Sequence, residues 1–461
     1  MKKIILSVLL AMTLLFTSVA CTRGGGVSGD TLTVIWDSAA FLYNFDEIGA
    51  AIDTAEAQLE QNIGNPSEAE KNLTRKQIDN TKLMQAWAQE QGKTIKCVDW
   101  GWADTLTQKL SAAFFANEGP DIVCGESQMP YFMDQGVLEP FPDDLTAYIK
   151  QNISPLAYET MMDADGKIYG VCLSPSNTIL AWNKEILRST GVDSDVIENG
   201  PSSWAEWESA MQKVADMNNP LKLPGGVYYG ANNGGYLRVG ALMNGVGGSY
   251  ADEAGEPKIN TAANAEAFEF VRRTAELNNY NTSLKGTDSG YFSAFTGGNI
   301  AYIMDGVWAV QQNSGLSFEV GFSRVPGKEE GTTSNQLLGA AYMCVPTYSA
   351  NKELAFDCLE RMLQTDIQQN IADGGLRTPV LQSVYESDDY KTEHALLYSF
   401  VAGIEEEDVP GLPPFVKALD LSEVWTAVGS CLSELTKSGN SQTVAQLLEK
   451  AQEGMMAAYE I

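Results

Sequence analysis

The chain has 461 residues, too many for one simple core, so two lobes of about 150 to 250 residues each are expected. With 60 acidic and 30 basic residues its net charge is −30, which repels phosphate backbones and argues against nucleic-acid binding; the plain reading of so much charge is solubility. A single histidine, His394, removes most metal-site and Ser-His or Cys-His schemes and is expected on a helix surface, so no metal, cofactor or catalytic group is assigned.

Lys2 and Lys3, the apolar run Ile4 to Phe16 and the small residues Thr17-Ser18-Val19-Ala20 precede Cys21 and form an export leader over residues 1–20. Cys21 is then a lipidation candidate that would tether the chain to the outer face of a membrane; a plain secretory peptide is the alternative, because Ser18-Val19-Ala20 also satisfies the small-x-small cleavage pattern. Residues 21–30 are polar and glycine-rich, a flexible leash. No later uncharged stretch reaches the roughly 18 to 20 apolar residues needed to span a bilayer.

Thr31 to Trp36 is β-branched and apolar and predicts a first strand ending at Trp36-Asp37. From Asp46 to Gln91 the period turns helical, through Ile48, Ile52, Ala55 and Leu59, a break at Gly64-Asn65-Pro66, then Ile78, Leu83 and Trp87: an insertion over about residues 44–79 and a crossover helix. A strand at Thr94 to Val98, a helix at Thr105 to Ala116 and a short strand at Asp121 to Cys124 complete a parallel doubly wound unit. Its ligand site should lie at the carboxyl ends of the strands, near Asp37 and Gly125-Glu126-Ser127-Gln128.

A second alternating set starts near Leu180, with helices at Trp204 to Met217 and Ala262 to Leu277, a glycine-rich region from Gly225 to Gly248 and a strand at Ile300 to Met304. Helices follow at Asn351 to Thr365, Ser422 to Leu435 and Gln442 to Tyr459. Cys97, Cys124, Cys172, Cys344, Cys358 and Cys431 form no C-x-x-C pair and are widely spaced, so buried thiols are at least as consistent with them as bridges.

Four segments carry a resemblance: Lys109 to Val123 leading into Gln135-Gly136-Val137-Leu138-Glu139-Pro140; Gly166-Lys167-Ile168-Tyr169-Gly170-Val171 continuing to Leu180 to Leu187; Phe292 to Trp308; and Ser349 to Phe356 followed by Gly374-Gly375-Leu376-Arg377-Thr378-Pro379-Val380. In order and spacing they resemble the extracellular solute-binding proteins of ABC sugar importers, the branch that includes maltose-binding protein. The resemblance implies an α/β, two-lobed periplasmic-binding-protein-like fold of type II, each lobe a doubly wound sheet, hinged by strands crossing at Tyr169 to Ser176 and Leu338 to Val345. It divides the chain into residues 31–172 with 344–405 as lobe 1 and 173–343 with 406–461 as lobe 2, the turn Pro410-Gly411-Leu412-Pro413-Pro414 marking a change of lobe.

A sugar offers hydroxyls at its edge and C–H faces above and below, so its site needs aromatic platforms and short polar groups. Trp308, Trp425 and Tyr236 match stacking positions of the family, with Gly306 letting the backbone approach the ligand; Trp308 and Trp425 are alternatively core residues, and Tyr236 follows a glycine pair expected to form an exposed loop. Asp37, Glu126, Ser127, Gln128, Ser176, Asn177 and Arg377 are the candidate polar contacts. Trp36 is as consistent with the core as with the cleft, and Arg377 with an ion pair between lobes. The resemblance implies a carbohydrate receptor that binds without chemistry, its partners being the carbohydrate, ABC permease subunits and the membrane through Cys21, and the chain itself a monomer. A peptide or polyamine receptor on the same scaffold and a secreted glycoside hydrolase are the rival readings.

Overall fold

The computed structural model describes residues 29–42, 68–101, 103–126, 128–230, 233–252, 254–284, 288–313, 315–334, 341–401 and 421–459. The strands within them are β1 (Thr31–Val34), β2 (Thr94–Cys97), β3 (Val123–Gly125), β4 (Val171–Cys172), β5 (Thr178–Asn183), β6 (Leu223–Gly226), β7 (Ile300–Gly306), β8 (Val320–Arg324) and β9 (Tyr342–Cys344). The helices that position the site are α1 (Glu68–Glu90), α2 (Ala103–Ala116), α3 (Trp204–Asp216), α4 (Asn233–Asn244), α5 (Ala262–Leu277), α6 (Trp308–Gln312), α7 (Lys352–Met362), α8 (Thr365–Gly374), α9 (Leu421–Leu435) and α10 (Val444–Tyr459).

The described strands form three sheets, and a bridge links the first two into one layer, so two layers organise the chain. In the first, β1 and β2 run parallel with Thr31 opposite Thr94, and a parallel bridge from Val34 to Ile122 carries the pairing toward β3. Strand β9 lies antiparallel between β3 and β4. The second layer is a sheet of order β6-β7-β5-β8, with β6 parallel to β7 and β5 antiparallel to both its neighbours. Every residue of β5 and β7 is buried, which is why these strands read as unbroken apolar runs rather than alternating ones.

Local chemistry sets the helix ends. Ser203 accepts from the Glu206 amide to cap α3, and the Glu206 carboxylate returns to the Ser202 amide at 2.8 Å, so two orphan donors are met. Thr261 caps α5 in the same way, accepting from the Asn264 amide. Helix α8 stops where Gly375 takes up a left-handed conformation at φ +69°, and this turn sends Arg377 out of the helix.

The chain passes from the first layer to the second through residues 173–177, all buried. It returns between β8 and β9 through residues 335–340, which are outside the described residues, as are residues 43–67, Cys21, the leader and the Pro410 to Pro414 turn. Late helices rejoin early ones: α8 packs along α1, tied by the Lys76–Asp373 ion pair at 2.7 Å, whereas α9 packs on α4 and α10 on α5.

Two expectations change. The glycine pair Gly234-Gly235 is not in a loop but in the first turn of α4, and Gly235 sits where a Cβ would collide with the Gly230 carbonyl, so only glycine lets that turn close on the preceding loop. His394 is not on a helix surface but caps the helix Asp388–Glu393, half-buried at 5.2 Å from the Tyr390 ring, and burial lowers its pKa. The six cysteines are buried and form no disulfide, and loss of hydration pushes Cys172 and Cys431 up to about 12. Among the described residues no helix is long and apolar enough to cross a membrane.

Candidate ligand-binding cleft

The carboxyl ends of β1, β3 and β7 and the crossing segment converge on one guanidinium. Asp37, three residues past β1, is fully enclosed; one carboxylate oxygen accepts from the Ala39 amide at 2.9 Å and the other from the Ser174 hydroxyl at 3.4 Å. Ser174 lies on the crossing segment, and its carbonyl accepts from Arg377 Nη1 at 3.5 Å. The Arg377 guanidinium stands over the Trp308 indole, 5.6 Å from its centroid, a cation–π contact between the end of α8 and the end of β7.

Charge is scarce on the positive side. Burial pushes the Asp37 carboxyl above its usual value, with Arg377 opposing. Burial likewise raises Glu126, just past β3; Arg377 opposes this and the neighbouring Asp37 charge adds to it. One guanidinium therefore acts on two carboxylates. The Glu126 amide donates to Gln128 Oε1 at 3.2 Å, which fixes the Gln128 amide group beside Glu126. Gln128 Nε2 and the Ser176 hydroxyl are both buried without a protein hydrogen-bond partner, a state that ordered water or a ligand relieves.

Trp308 owes its position to Gly306. A Cβ there would collide with the six-membered ring of the indole, so the space that glycine leaves is filled by Trp308 itself, not kept for a ligand. Behind this turn Arg238 of α4 reaches Asp305 of β7 at 2.8 Å, with both side chains about 5% exposed or less. Arg238 also donates to the Met304 carbonyl at 2.7 Å and the Gly234 carbonyl at 3.1 Å, while Asp305 accepts from the Gly306 amide at 2.9 Å. Sequence reading missed this pair; its one signal was a carboxylate inside the apolar run of β7.

Other candidates go elsewhere. Trp36 is core, stacked on Phe41 at 4.6 Å. Asn177 fastens the crossing segment: its amide nitrogen donates to the Phe400 carbonyl at 3.1 Å and its oxygen accepts from the Thr178 amide at 2.9 Å, which leaves little for a ligand. Tyr236 is not in an exposed loop but in the first turn of α4, 3% exposed and stacked on Tyr250 at 4.2 Å. The glycine pair before it begins a helix and turns the ring inward. Trp425 of α9 is 7% exposed and lies 6.5 Å from the Tyr236 ring, and its indole N–H is buried without a partner. Ser127 lies outside the described residues.

Two α/β layers joined by crossing segments, with strand ends meeting at a polar and aromatic cluster, define a two-lobed binding fold of type II. The chain belongs to the family described as bacterial extracellular solute-binding protein, whose model matches residues 82–397. It is 22% identical over 368 residues to the maltotriose-binding protein of Pyrococcus abyssi, covering 76% of this chain and 73% of that protein. To the galactooligosaccharide-binding protein of Bacillus subtilis it is 21% identical over 383 residues, covering 79% of this chain and 84% of that one. Among solved structures, an ABC transporter solute-binding protein from Thermotoga lettingae bound with alpha-D-tagatose superposes with a TM-score of 0.70 at 17% identity, over 93% of this chain and all of that one.

Proposed function

We propose that this chain is a carbohydrate receptor that captures an oligosaccharide between its lobes, without chemistry, and delivers it to ABC permease subunits. The lobes are residues 31–172 with 344–405 and residues 173–343 with 406–461; the chain acts as a monomer outside the cytoplasm, held to the membrane through lipid on Cys21. The observation that carries this reading is Trp308 at the end of β7, held with Arg377, Asp37 and Glu126 where the strand ends meet. An indole stacks on sugar C–H faces, and Gln128, Ser176 and Ser127 supply short polar groups for hydroxyls. The carbohydrate ligands in the names of its relatives support the same assignment.

The test is titration of the purified chain with a panel of oligosaccharides, followed by tryptophan fluorescence and melting temperature, because a ligand that binds only the folded state raises stability by mass action. Trp308→Ala should abolish the response. No shift with any glycan, alongside a shift with peptides or polyamines, refutes the sugar assignment, and appearance of a hydrolysis product refutes binding without chemistry.

A further inference from the structure

Trp308 is the aromatic platform that a stacked sugar needs, and the fold has already placed a group over it. One face of the indole is closed by its own turn: a Cβ at Gly306 would lie 2.3 to 2.5 Å from three consecutive carbons of the six-membered ring, a near-equal spacing that puts Gly306 over the ring and not at its edge. Backbone takes that face, which leaves the other for a ligand. Over the ring, 5.6 Å from its centroid, stands the Arg377 guanidinium. The two residues come from different sides. Arg377 follows α8, which packs along α1, and α1 lies on β2 of the first layer, whereas Trp308 follows β7 of the second. Helix α6, which begins at Trp308, also lies against α1, so the two sides meet at this ring. Both side chains are half-buried, which sets the contact apart from that of a freely moving surface arginine.

We infer that Arg377 is a built-in occupant of the Trp308 platform, an intramolecular competitor that a stacking sugar displaces. This rests on the carbohydrate reading above and adds to it the step that precedes stacking. A guanidinium and a sugar C–H face both seek the electron-rich face of an indole, and one face holds one of them. The displacement is short. Arg377 Nη1 lies 3.5 Å from the Ser174 carbonyl, the long limit of a hydrogen bond, so a swing off the ring toward the crossing segment tightens that bond as the cation–π contact is given up. The arginine thus leaves a contact between the two sides for one on the segment that joins them. Affinity for a neutral sugar is lowered in the native chain by the worth of the lost contact, about two- to thirtyfold for one cation–π pair. The sign is opposite to that of an arginine that binds ligand, whose removal weakens binding.

The experiment measures affinity for maltotriose and β-1,4-galactotriose, two neutral trisaccharides, by calorimetry on the purified chain and on Arg377→Ala, with the unliganded melting temperature reporting that the variant folds. Arg377→Ala should bind about two- to thirtyfold more tightly than the parent. Arg377→Lys, the second variant should the first not fold, keeps a cation without the planar group that stacks, and its gain should be smaller. Equal or weaker binding by a folded variant overturns the inference and leaves the sugar reading in place. A second readout needs no sugar: acrylamide quenching of Trp308, isolated by subtracting the emission of Trp308→Phe in each background, should rise in Arg377→Ala because the face is uncovered. Unchanged quenching overturns the inference as well. If neither trisaccharide binds any form while quenching rises, Arg377 does cover the ring and the sugar reading is the one that falls.

Discussion

Arg238→Met tests whether the buried pair behind Trp308 holds the β7 turn in place. Arg238 donates to Asp305 at 2.8 Å, the Met304 carbonyl at 2.7 Å and the Gly234 carbonyl at 3.1 Å, and its guanidinium lies 5.3 and 5.9 Å from the Tyr228 and Tyr291 rings. Methionine keeps much of the apolar stem but removes the guanidinium from the buried Asp305 carboxylate, which still accepts from the Gly306 amide. Breaking a buried ion pair from one side costs about 3 to 5 kcal/mol, because the surviving charge is uncompensated. For a unit of lobe size that is a melting-temperature loss of roughly 6 to 20 °C. Differential scanning calorimetry measures it, and ligand affinity should fall in step, because the turn that presents Trp308 loses its tether. Arg238→Met combined with Asp305→Asn removes the stranded charge and should be more stable than Arg238→Met alone. A single-variant cost below about 1 kcal/mol, or a double variant no more stable than the single, refutes the reasoning.

The remaining predictions concern the cleft. Gly306→Ala forces a Cβ into the Trp308 ring and should cost about 1 to 3 kcal/mol, shift the tryptophan emission and weaken sugar binding; an unchanged spectrum and affinity would show that the ring does not rest on Gly306. Ser176→Ala removes a buried hydroxyl that lacks a protein partner, so the unliganded melting temperature should hold or rise while affinity drops by about 1 to 3 kcal/mol in calorimetry; destabilisation with unchanged affinity would assign Ser176 to the fold instead. Burial holds the Asp37 pKa above its usual value, so the folded state binds that proton more tightly than the unfolded chain, and stability is lost as pH rises through the folded value. Asp37→Asn is therefore expected to melt higher than the parent at neutral pH, the gap closing as pH falls toward 3.8, the usual aspartate value; a gap that does not change with pH contradicts this.

Much of the fold was legible because it is written in local periodicity. The 3.6-residue period of Ala262 to Leu277 reappears as α5 with the same bounds, and the apolar run at Ile300 to Met304 as most of β7. Helix α4 was not legible, because Gly234 and Gly235 are poor helix formers that read as loop; their use depends on how closely the Gly230 carbonyl approaches, which no local pattern records. Tyr236 was misplaced for the same reason, since its exposure followed from the loop. The polar candidates fared unevenly: Asp37, Glu126 and Arg377 could be suspected from their places after strands and a helix, but a hydrogen-bonding residue such as Asn177 looks the same in sequence whether its partner is a ligand or a backbone carbonyl.

The sequence by itself determined the α/β class and most of the run of strands and helices, because backbone propensity and apolar periodicity act between near neighbours; the candidate aromatic residues followed from the resemblance to the solute-binding family. Tertiary structure alone decided that Arg377 reaches the Ser174 carbonyl and covers Trp308, that the space at Gly306 belongs to Trp308, that Asp305 finds Arg238, and that Asn177 binds Phe400. These are contacts across up to several hundred residues, and burial, charge balance and hydrogen-bond satisfaction are properties of what surrounds a side chain in space.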